Sequence, residues 1–188
     1  MYKRQAALLV EPCLGNIVGI EPKDGFLQHL RNLCDKYNVV LIFDEVKTGF
    51  RLSNGGARET YEVIPDISTY AKSLGNGVPV AAFGGKSEVM NVIGGGSVAH
   101  AGTFGGNGVS MSAANAVLDI LNEAPVLKEL SIRGQKLKKG MDNILDEVGI
   151  PHQMCGHPNI QGFLITEHKV EAVSYTHLRA PRLQQISY

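Results

Sequence analysis

The chain has 188 residues, of which 44% are hydrophobic, so it is long enough for one domain and part of a second, with a sizeable core. Eighteen Lys and Arg residues balance eighteen Asp and Glu residues without a basic patch, so we expect no nucleic-acid partner. We identify neither a signal peptide nor an apolar run of membrane-spanning length, so no membrane partner is expected. Three cysteines without CxxC spacing fit a reducing compartment and predict a cytoplasmic location.

The first predicted elements form a strand–helix–strand unit. Residues 7–10 are apolar and end at a proline, which disfavours continuation of a central strand. Residues 24–37 carry apolar side chains at helical spacing, with Asp24 as the expected N-cap. Residues 39–43 are a continuous apolar run, which is typical of a parallel strand covered on both faces. The unit therefore predicts two parallel strands joined by a helical crossover.

Ionisable side chains follow two of the predicted strands. Asp44 and Glu45 come directly after the second strand, and Lys72 follows a third short strand at residues 67–70. Because ligands of open α/β sheets bind beyond the carboxyl ends of the strands, an acid and an amine there indicate a cofactor site. A lysine amine forms a Schiff base with the aldehyde of pyridoxal phosphate, and an aspartate keeps the pyridine nitrogen protonated. The alternative is a turn acid and an ordinary surface lysine.

The rest of the chain alternates glycine-rich turns with helices. A turn rich in glycine surrounds Thr103, and a proline at position 125 separates two long helical patterns. The predicted elements are a strand of undetermined direction at residues 80–84, helices at 87–93, 107–122 and 125–148, and strands at 150–155 and 160–166.

Three motifs resemble the class III aminotransferases, and their sequences are most similar to the glutamate-1-semialdehyde aminomutase branch of that family. They are IFDEVKTGFR at residues 42–51, AKSLGNGVPVAAFGG at residues 71–85 and AGTFGGN at residues 101–107. The resemblance implies an α/β fold, namely part of a fold-type I pyridoxal phosphate-dependent large domain with a mostly parallel sheet and flanking helices. It also implies that a small C-terminal α+β domain begins within this chain.

The resemblance implies roles for residues at the ends of the second and third strands. Asp44 corresponds to the family's aspartate on the pyridine nitrogen, and Lys72 corresponds to its Schiff-base lysine. Val46 matches an apolar residue that packs on the ring face. Lys47 departs from the family, in which many relatives carry glutamine or methionine, so the contact between a glutamine and the ring oxygen is in doubt here.

Further candidates lie in loops. Thr103 corresponds to a threonine that binds the cofactor phosphate, usually that of the neighbouring subunit, so a homodimer with a shared active site is expected. The segment EPCLGN resembles a family segment near the cofactor, so Glu11 and Asn16 are candidate cofactor contacts, with turn residues as the alternative. Arg51 and Arg58 could each bind a carboxylate, with pairing to a nearby acid as the alternative. No metal ligand set is expected.

The resemblance also divides the chain. Residues 1–5 are expected to be a non-native end, and residues 6–124 the second half of the cofactor-binding large domain. Residues 125–172 are expected to hold a linker helix and the beginning of the small domain. Residues 173–188 are expected to be a non-native or disordered tail. The chain is then a piece of a longer enzyme, and we expect it to be inactive alone.

The implied function is amino-group transfer with pyridoxal 5′-phosphate, through a Schiff base at Lys72 and with a small-molecule amino donor or acceptor as substrate. The first interpretation is the aminomutase reaction, an internal amino transfer. The second is a class III transaminase that moves the amino group from an amino acid or amine to a keto acid or aldehyde. The third is a non-catalytic α/β binding module.

Overall fold

A computed structural model of the chain describes residues 5–94 and 98–170, which form one four-stranded sheet with flanking helices and one two-stranded sheet. The expectations for residues 173–188 and for most of residues 1–5 therefore lie outside the described residues. In the first sheet, β1 to β4 are adjacent in chain order; β1, β2 and β3 are parallel, and β4 is antiparallel to β3. The predicted α/β fold with a mostly parallel sheet is confirmed. The strands are β1 Ala7–Val10, β2 Val40–Asp44, β3 Ile67–Tyr70 and β4 Ala82–Gly85.

Five helices and a second pair of strands complete the described part of the chain. The antiparallel strands β5 and β6 follow the longest helix. No helix among the described residues is long and apolar enough to cross a membrane. The elements are α1 Phe26–Tyr37, α2 Gly56–Thr60, α3 Ser87–Gly94, α4 Gly108–Glu123, α5 Val126–Glu147, β5 His152–Cys155 and β6 Gly162–Ile165.

Helix α1 packs one apolar stripe against the sheet. Leu27 and Cys34 are buried, two turns apart on the same face. The expected cap, Asp24, is wrong: Gly25 holds the N-cap position in the left-handed region, without a side-chain cap. Asn38 ends the helix with φ 52°, and its N–H reaches the carbonyls of the preceding turn. This left-handed residue turns the chain directly into β2.

The core of the first sheet is centred on β2. Leu41 and Phe43 have no exposed surface, whereas the alternate residues of the strand are half-buried. The expectation of a strand covered on both faces is therefore met on one face only. The buried members of the core are Leu27, Cys34, Leu41, Phe43, Leu52, Ala57 and Val63.

A buried carboxylate, Asp66, joins three elements of this layer. Its Oδ2 accepts the N–H of Leu41 at 2.7 Å and Nη1 of Arg31 at 2.8 Å, and its Oδ1 pairs with Nζ of Lys86 at 2.7 Å. Burial alone would raise the pKa of Asp66, but the hydrogen bonds from Lys86, Leu41 and Arg31 outweigh it and lower the pKa. The carboxylate thus holds α1, β2 and the residue after β4 together.

The segment at residues 156–162 connects the C-terminal strands to the rest of the molecule. Asn159 Nδ2 donates to the carbonyl oxygens of Arg51 at 2.8 Å and Leu127 at 3.3 Å. Ile160 packs against the core beside β2. A single side chain therefore bridges the segment that follows β2, the first turn of α5 and the connection between β5 and β6.

A second apolar cluster lies under the turn that follows β1. Ile20 packs with Cys155 of β5 and with Val170, and these three residues are buried. The turn closes on itself through a bridge between Leu14 and Ile20. Residues 14–20 are therefore held against the C-terminal strands by apolar contacts.

His152 at the start of β5 faces two acceptor oxygens. Its Nδ1 lies 2.9 Å from the carbonyl of Ile150, and its Nε2 lies 2.9 Å from Oδ1 of Asp142 on α5. A neutral imidazole has only one N–H, so the protonated ring alone satisfies both partners. The hydrogen bond to Asp142, followed by the one to Ile150, raises the pKa of His152.

Because that pKa is raised in the folded state, the link between β5 and α5 is expected to depend on pH. The stabilisation should be complete below the ordinary histidine pKa of 6.5 and lost as the pH rises through the folded-state value. Urea unfolding between pH 5.5 and 8.5 measures this slope. Asp142→Asn should flatten it, whereas Asp119→Asn on the exposed surface of α4 should not; equal slopes in all three proteins would contradict the expectation.

Candidate active site

The carboxylate of Asp44 lies at the carboxyl end of β2 with one oxygen held in place. Asp44 pairs with Thr69 of β3 in the parallel register. Its Oδ1 accepts the N–H of Val46 at 3.0 Å and the hydroxyl of Thr69 at 3.5 Å. Among the described residues, no hydrogen bond reaches Oδ2. The carboxylate is thus oriented through one oxygen, and the other can accept a bond from a ligand.

Lys72 follows β3 at the same edge of the sheet. The residue is exposed, starts a short 3-10 turn that ends at Leu74, and has φ 45°, in the left-handed region. No hydrogen bond or ion pair engages its amine within the described part of the chain. A non-glycine residue in this region costs roughly 1–2 kcal/mol, and such strain concentrates at functional sites. Parallel pairing of β2 with β3 therefore brings the amine of Lys72, which has no described partner, and the carboxylate of Asp44, which has one oxygen available, to the same edge of the sheet.

Glu45 has a different role from its neighbour Asp44. It has no exposed surface and accepts the N–H of Ala57 at 2.6 Å and the hydroxyls of Thr48 and Ser68, each at 3.4 Å. Burial raises its pKa, and the hydrogen bonds only partly oppose this effect. Gly56, with φ 67°, allows the carboxylate to approach, because a Cβ there would overlap Oε2. Glu45 therefore anchors α2 to the strand that carries Asp44.

Replacement of Glu45 tests this anchoring role. Glu45→Gln is expected to keep the free energy of unfolding at pH 7 within about 1 kcal/mol of wild type, because the amide has no charge to desolvate. Glu45→Ala should lower it by about 2–3 kcal/mol, because the buried N–H of Ala57 loses its acceptor.

The pH dependence gives a second test. A raised folded-state pKa favours the protonated acid, so wild-type stability should fall relative to Glu45→Gln as the pH rises from the ordinary value of 4.5. Urea unfolding at pH 4 and pH 7 compares the two proteins. Parallel changes in both would show that Glu45 does not titrate as expected.

The two predicted contacts after β1 bond to each other. Val10 pairs with Phe43 in the register, so Glu11 lies level with Asp44 at the edge of the sheet. Asn16 donates to Glu11, from Nδ2 to Oε1 at 2.6 Å and from its backbone N–H to Oε2 at 3.4 Å. The structure thus brings Glu11 and Asn16 together beside β2. Their use on a cofactor stays a prediction.

Lys47, where the chain departs from the family pattern, contacts the turn after β1. Its Nζ donates to the carbonyl of Gly15 at 2.9 Å. The side chain is half-buried. The polar contact that joins the segment after Asp44 to the segment around Asn16 was not expected from the sequence.

Thr103 lies in an exposed turn before α4. Asn107 caps this helix by accepting the N–H of Ser110 at 3.1 Å, and α4 contacts the 3-10 turn that begins at Lys72. Within the described residues, no hydrogen bond or ion pair links Thr103 to Asp44 or Lys72. The neighbouring Phe104 is 66% exposed. The phosphate role of Thr103, in the neighbouring subunit's site, stays a prediction.

The two candidate arginines form no salt bridge in the described part of the chain. Arg58 is exposed on α2, and Arg51 is half-buried. Neither forms a salt bridge there, but Arg58 attracts its neighbour Glu59: the N–H of Gly55 first, and then the hydroxyl of Ser53 and the charge of Arg58, lower the pKa of that carboxyl. Sequence reasoning missed the backbone of Arg51, which accepts the bond from Asn159.

The α/β sheet, with an acid and an amine at the ends of adjacent parallel strands, has the arrangement of a pyridoxal phosphate-dependent enzyme. A family model described as Aminotransferase class-III matches residues 1–180, and the chain belongs to this family. The glutamate-1-semialdehyde 2,1-aminomutase of Methanosarcina acetivorans is 43% identical over 152 residues, which are 80% of this chain and 36% of that protein. The resemblance stated from the motifs is confirmed.

Solved structures share the fold. An omega-transaminase from Sphaerobacter thermophilus has a TM-score of 0.80 and 33% identity, over 87% of this chain and 38% of its own. A transaminase with pyridoxal phosphate bound has a TM-score of 0.76 and 28% identity, over 82% and 37% of the two chains. The chain thus spans less than half the length of these relatives. The expected cofactor of the family, pyridoxal 5′-phosphate, is confirmed.

Proposed function

We propose that this chain supplies Lys72 and Asp44 to a pyridoxal phosphate-dependent amino-group transfer of the glutamate-1-semialdehyde aminomutase type. The observation that carries the proposal is the amine of Lys72, which forms no hydrogen bond or ion pair with a described residue. Lys72 has a left-handed backbone and lies at the same edge of the sheet as Asp44, the last residue of β2. When bound, the cofactor supplies an aldehyde that takes up amines and a ring that accepts electrons. An amine and an acid at one edge fit these two ends of the cofactor.

Each residue then has a distinct task. Lys72 would hold the cofactor through its amine, and the same amine, when free, would move a proton at the substrate carbon as a general base and acid. Asp44 holds the proton on the ring nitrogen through Oδ2, because Val46 and Thr69 already fix Oδ1. Val46 would pack against the ring of the bound cofactor. Glu11 and Asn16 border the same edge.

Two reactions are candidates for the complete site. The 43% identity to an aminomutase favours internal amino transfer within one small molecule. The TM-score of 0.80 with an omega-transaminase favours the second candidate, transfer from an amino acid or amine to a keto acid or aldehyde. The two differ in one requirement, because only the transaminase consumes an external keto acid or aldehyde. Omitting that acceptor from an assay of an enzyme that contains this segment separates them.

The site is proposed to need more than one copy of this segment. Thr103, Phe104 and Val109 are exposed next to each other, which fits a homodimer in which Thr103 serves the partner's cofactor phosphate. Because the chain covers 36% of its aminomutase relative, we propose that it does not complete the reaction alone. The three unbridged cysteines are consistent with a cytoplasmic enzyme.

Borohydride trapping tests the proposal directly. An enzyme that contains this segment is mixed with pyridoxal 5′-phosphate, reduced, digested and mapped by mass spectrometry. We expect the pyridoxyl group on Lys72, while Lys86, whose amine is bound to Asp66, serves as an internal unmodified control. Absence of any modified lysine, or modification without preference for Lys72, would favour the non-catalytic α/β binding module.

A further inference from the structure

Lys47 makes a contact that the proposed chemistry does not use. Its ammonium donates to the carbonyl of Gly15 at 2.9 Å, and among the described residues it forms no ion pair. A Cβ added to Gly15 would lie 2.9 Å from both Cβ and Cδ of Lys47. The stem of the lysine therefore lies directly against the backbone of the turn, and only a residue without a side chain fits opposite it.

The turn at residues 14–20 has its other anchor in the C-terminal part of the molecule. Ile20 is buried with Cys155, and Val18 packs closely against Gly162. These contacts are apolar and lie on the side of the C-terminal strands. On the side of the first sheet, the polar bond from Lys47 holds the turn. A charged donor makes this bond stronger than one between neutral groups.

The same turn carries Asn16 into the site. Asn16 follows Gly15 directly and donates a hydrogen bond to Glu11, which lies at the edge of the sheet where β2 ends with Asp44. Lys47 is three residues beyond Asp44, so its bond links the residue before Asn16 to the segment that begins at the carboxylate. Without that bond, the Glu11–Asn16 pair keeps its link to the first sheet through the end of β1.

We propose that Lys47 is a positioning residue of the cofactor site, which holds the Glu11–Asn16 pair beside Asp44 through the carbonyl of Gly15. The inference rests on the proposed function and gives this departure from the family pattern a task of its own. Lys47 does not touch the reacting atoms in this role. Loss of the Lys47 amine should weaken cofactor binding, because the Glu11–Asn16 pair would no longer be held beside Asp44.

The test uses the 188-residue chain with Lys47→Met, which keeps the stem and removes the amine. The matched control is Lys138→Met, because Lys138 also donates its amine to a glycine carbonyl, that of Gly156 at 2.7 Å, away from the site. Fluorescence titration measures the affinity for pyridoxal 5′-phosphate, and hydrogen exchange measures the amides of residues 14–20. Lys47→Met should weaken the affinity roughly tenfold and accelerate those amides. Lys138→Met should leave the affinity unchanged, although its amides at residues 14–20 can also exchange faster, because Gly156 lies against the backbone of Gly19.

Chemical rescue separates positioning from a general loss of structure. Lys47→Cys treated with bromoethylamine regains an amine at nearly the original length, and the native cysteines are buried. The modified protein should recover the cofactor affinity and the slow exchange of the amides at residues 14–20. If Lys47→Met and Lys47→Cys do not fold, Lys47→Arg, which keeps a charged donor, replaces them in the test and should retain both properties. Equal effects of Lys47→Met and Lys138→Met, or no recovery on modification, would overturn the inference. Failure of the wild type to trap cofactor at Lys72 refutes the proposed function instead, while hydrogen exchange still decides the anchoring.

Discussion

Lys72→Ala is expected to abolish the visible absorbance of the complex between this chain and pyridoxal phosphate. Among the described residues near Asp44, Lys72 has an amine that no hydrogen bond engages, whereas the amine of Lys47 is bound to Gly15, and alanine offers no replacement for the bond to the cofactor's aldehyde. Because the lysine side chain is exposed and engages no described residue, its removal should leave the unfolding transition nearly unchanged. Absorbance after gel filtration and urea unfolding of the same samples measure the two effects.

Lys72→Gly adds a sharper form of this prediction. Glycine adopts the left-handed region freely, so the variant should be about 1 kcal/mol more stable than wild type while losing the absorbance. Stability and chemistry would then move in opposite directions at one residue, as expected for strain held at a functional site. The matched control is Lys139→Ala on the exposed side of α5, which should retain both properties. Retention of the absorbance by either Lys72 variant would contradict the assignment.

Asp66→Ala is expected to cause the largest loss of stability, about 3–5 kcal/mol, because it leaves a buried charge without its partner. Arg31, whose side chain is 11% exposed, would keep only Asp35 as an acidic partner, and the N–H of Leu41 would lose its acceptor. For a domain with a total stability of about 5–15 kcal/mol, this loss is severe. Urea unfolding followed by circular dichroism measures it.

Two further variants assign the cause of that loss. Asp66→Asn keeps an acceptor for the N–H of Leu41 but removes the charge, so its loss should be intermediate. Glu129→Ala breaks an exposed pair with Arg133 at 3.5 Å and should change the stability by about 0.5 kcal/mol or less. A loss in Asp66→Ala as small as that in Glu129→Ala would show that the buried pair does not hold the layer together.

The strands that carry the site could be predicted because their signals are local. The expected strands at residues 7–10 and 67–70 coincide with β1 and β3, and the expected strand at residues 39–43 is displaced by one residue from β2. Apolar runs and the proline after Val10 are sufficient for this. The direction of β4 was not predictable, since a short strand has no residue that records whether its neighbour is parallel.

Glu45 illustrates what the sequence did not reveal. It stands beside Asp44 in the same motif, yet one acid faces the site and the other is buried under α2. The difference depends on the N–H of Ala57, twelve residues further on, which no local pattern connects to Glu45. The signal that could have found it is the pair of glycines before Ala57, because Gly56 is required where a carboxylate approaches the backbone.

The site itself was predicted in part. Adjacent parallel strands bring Asp44 and Lys72 to one edge, as their positions after apolar runs indicated. Asn16 and Glu11 lie at that edge too, but their mutual bonds depend on a turn whose conformation is set by contacts with β5 and by Lys47. No described bond links Thr103 to Asp44, Lys72, Glu11 or Asn16, since Thr103 is exposed to solvent in the turn that precedes α4 in the chain.

The amide of Asn159 has a consequence for how such a molecule can move. Its bond to the carbonyl of Arg51 joins the C-terminal strands to the segment that leaves β2 a few residues after Asp44, and its bond to the carbonyl of Leu127 joins them to α5. A hinge rotation of the C-terminal strands would either break the hydrogen bond from Asn159 to Arg51 or move the segment after β2 together with the strands. A movement of the C-terminal strands that preserves the bond to Arg51 therefore also shifts the backbone next to the carboxylate, whereas an opening that leaves Asp44 undisturbed requires this bond to break.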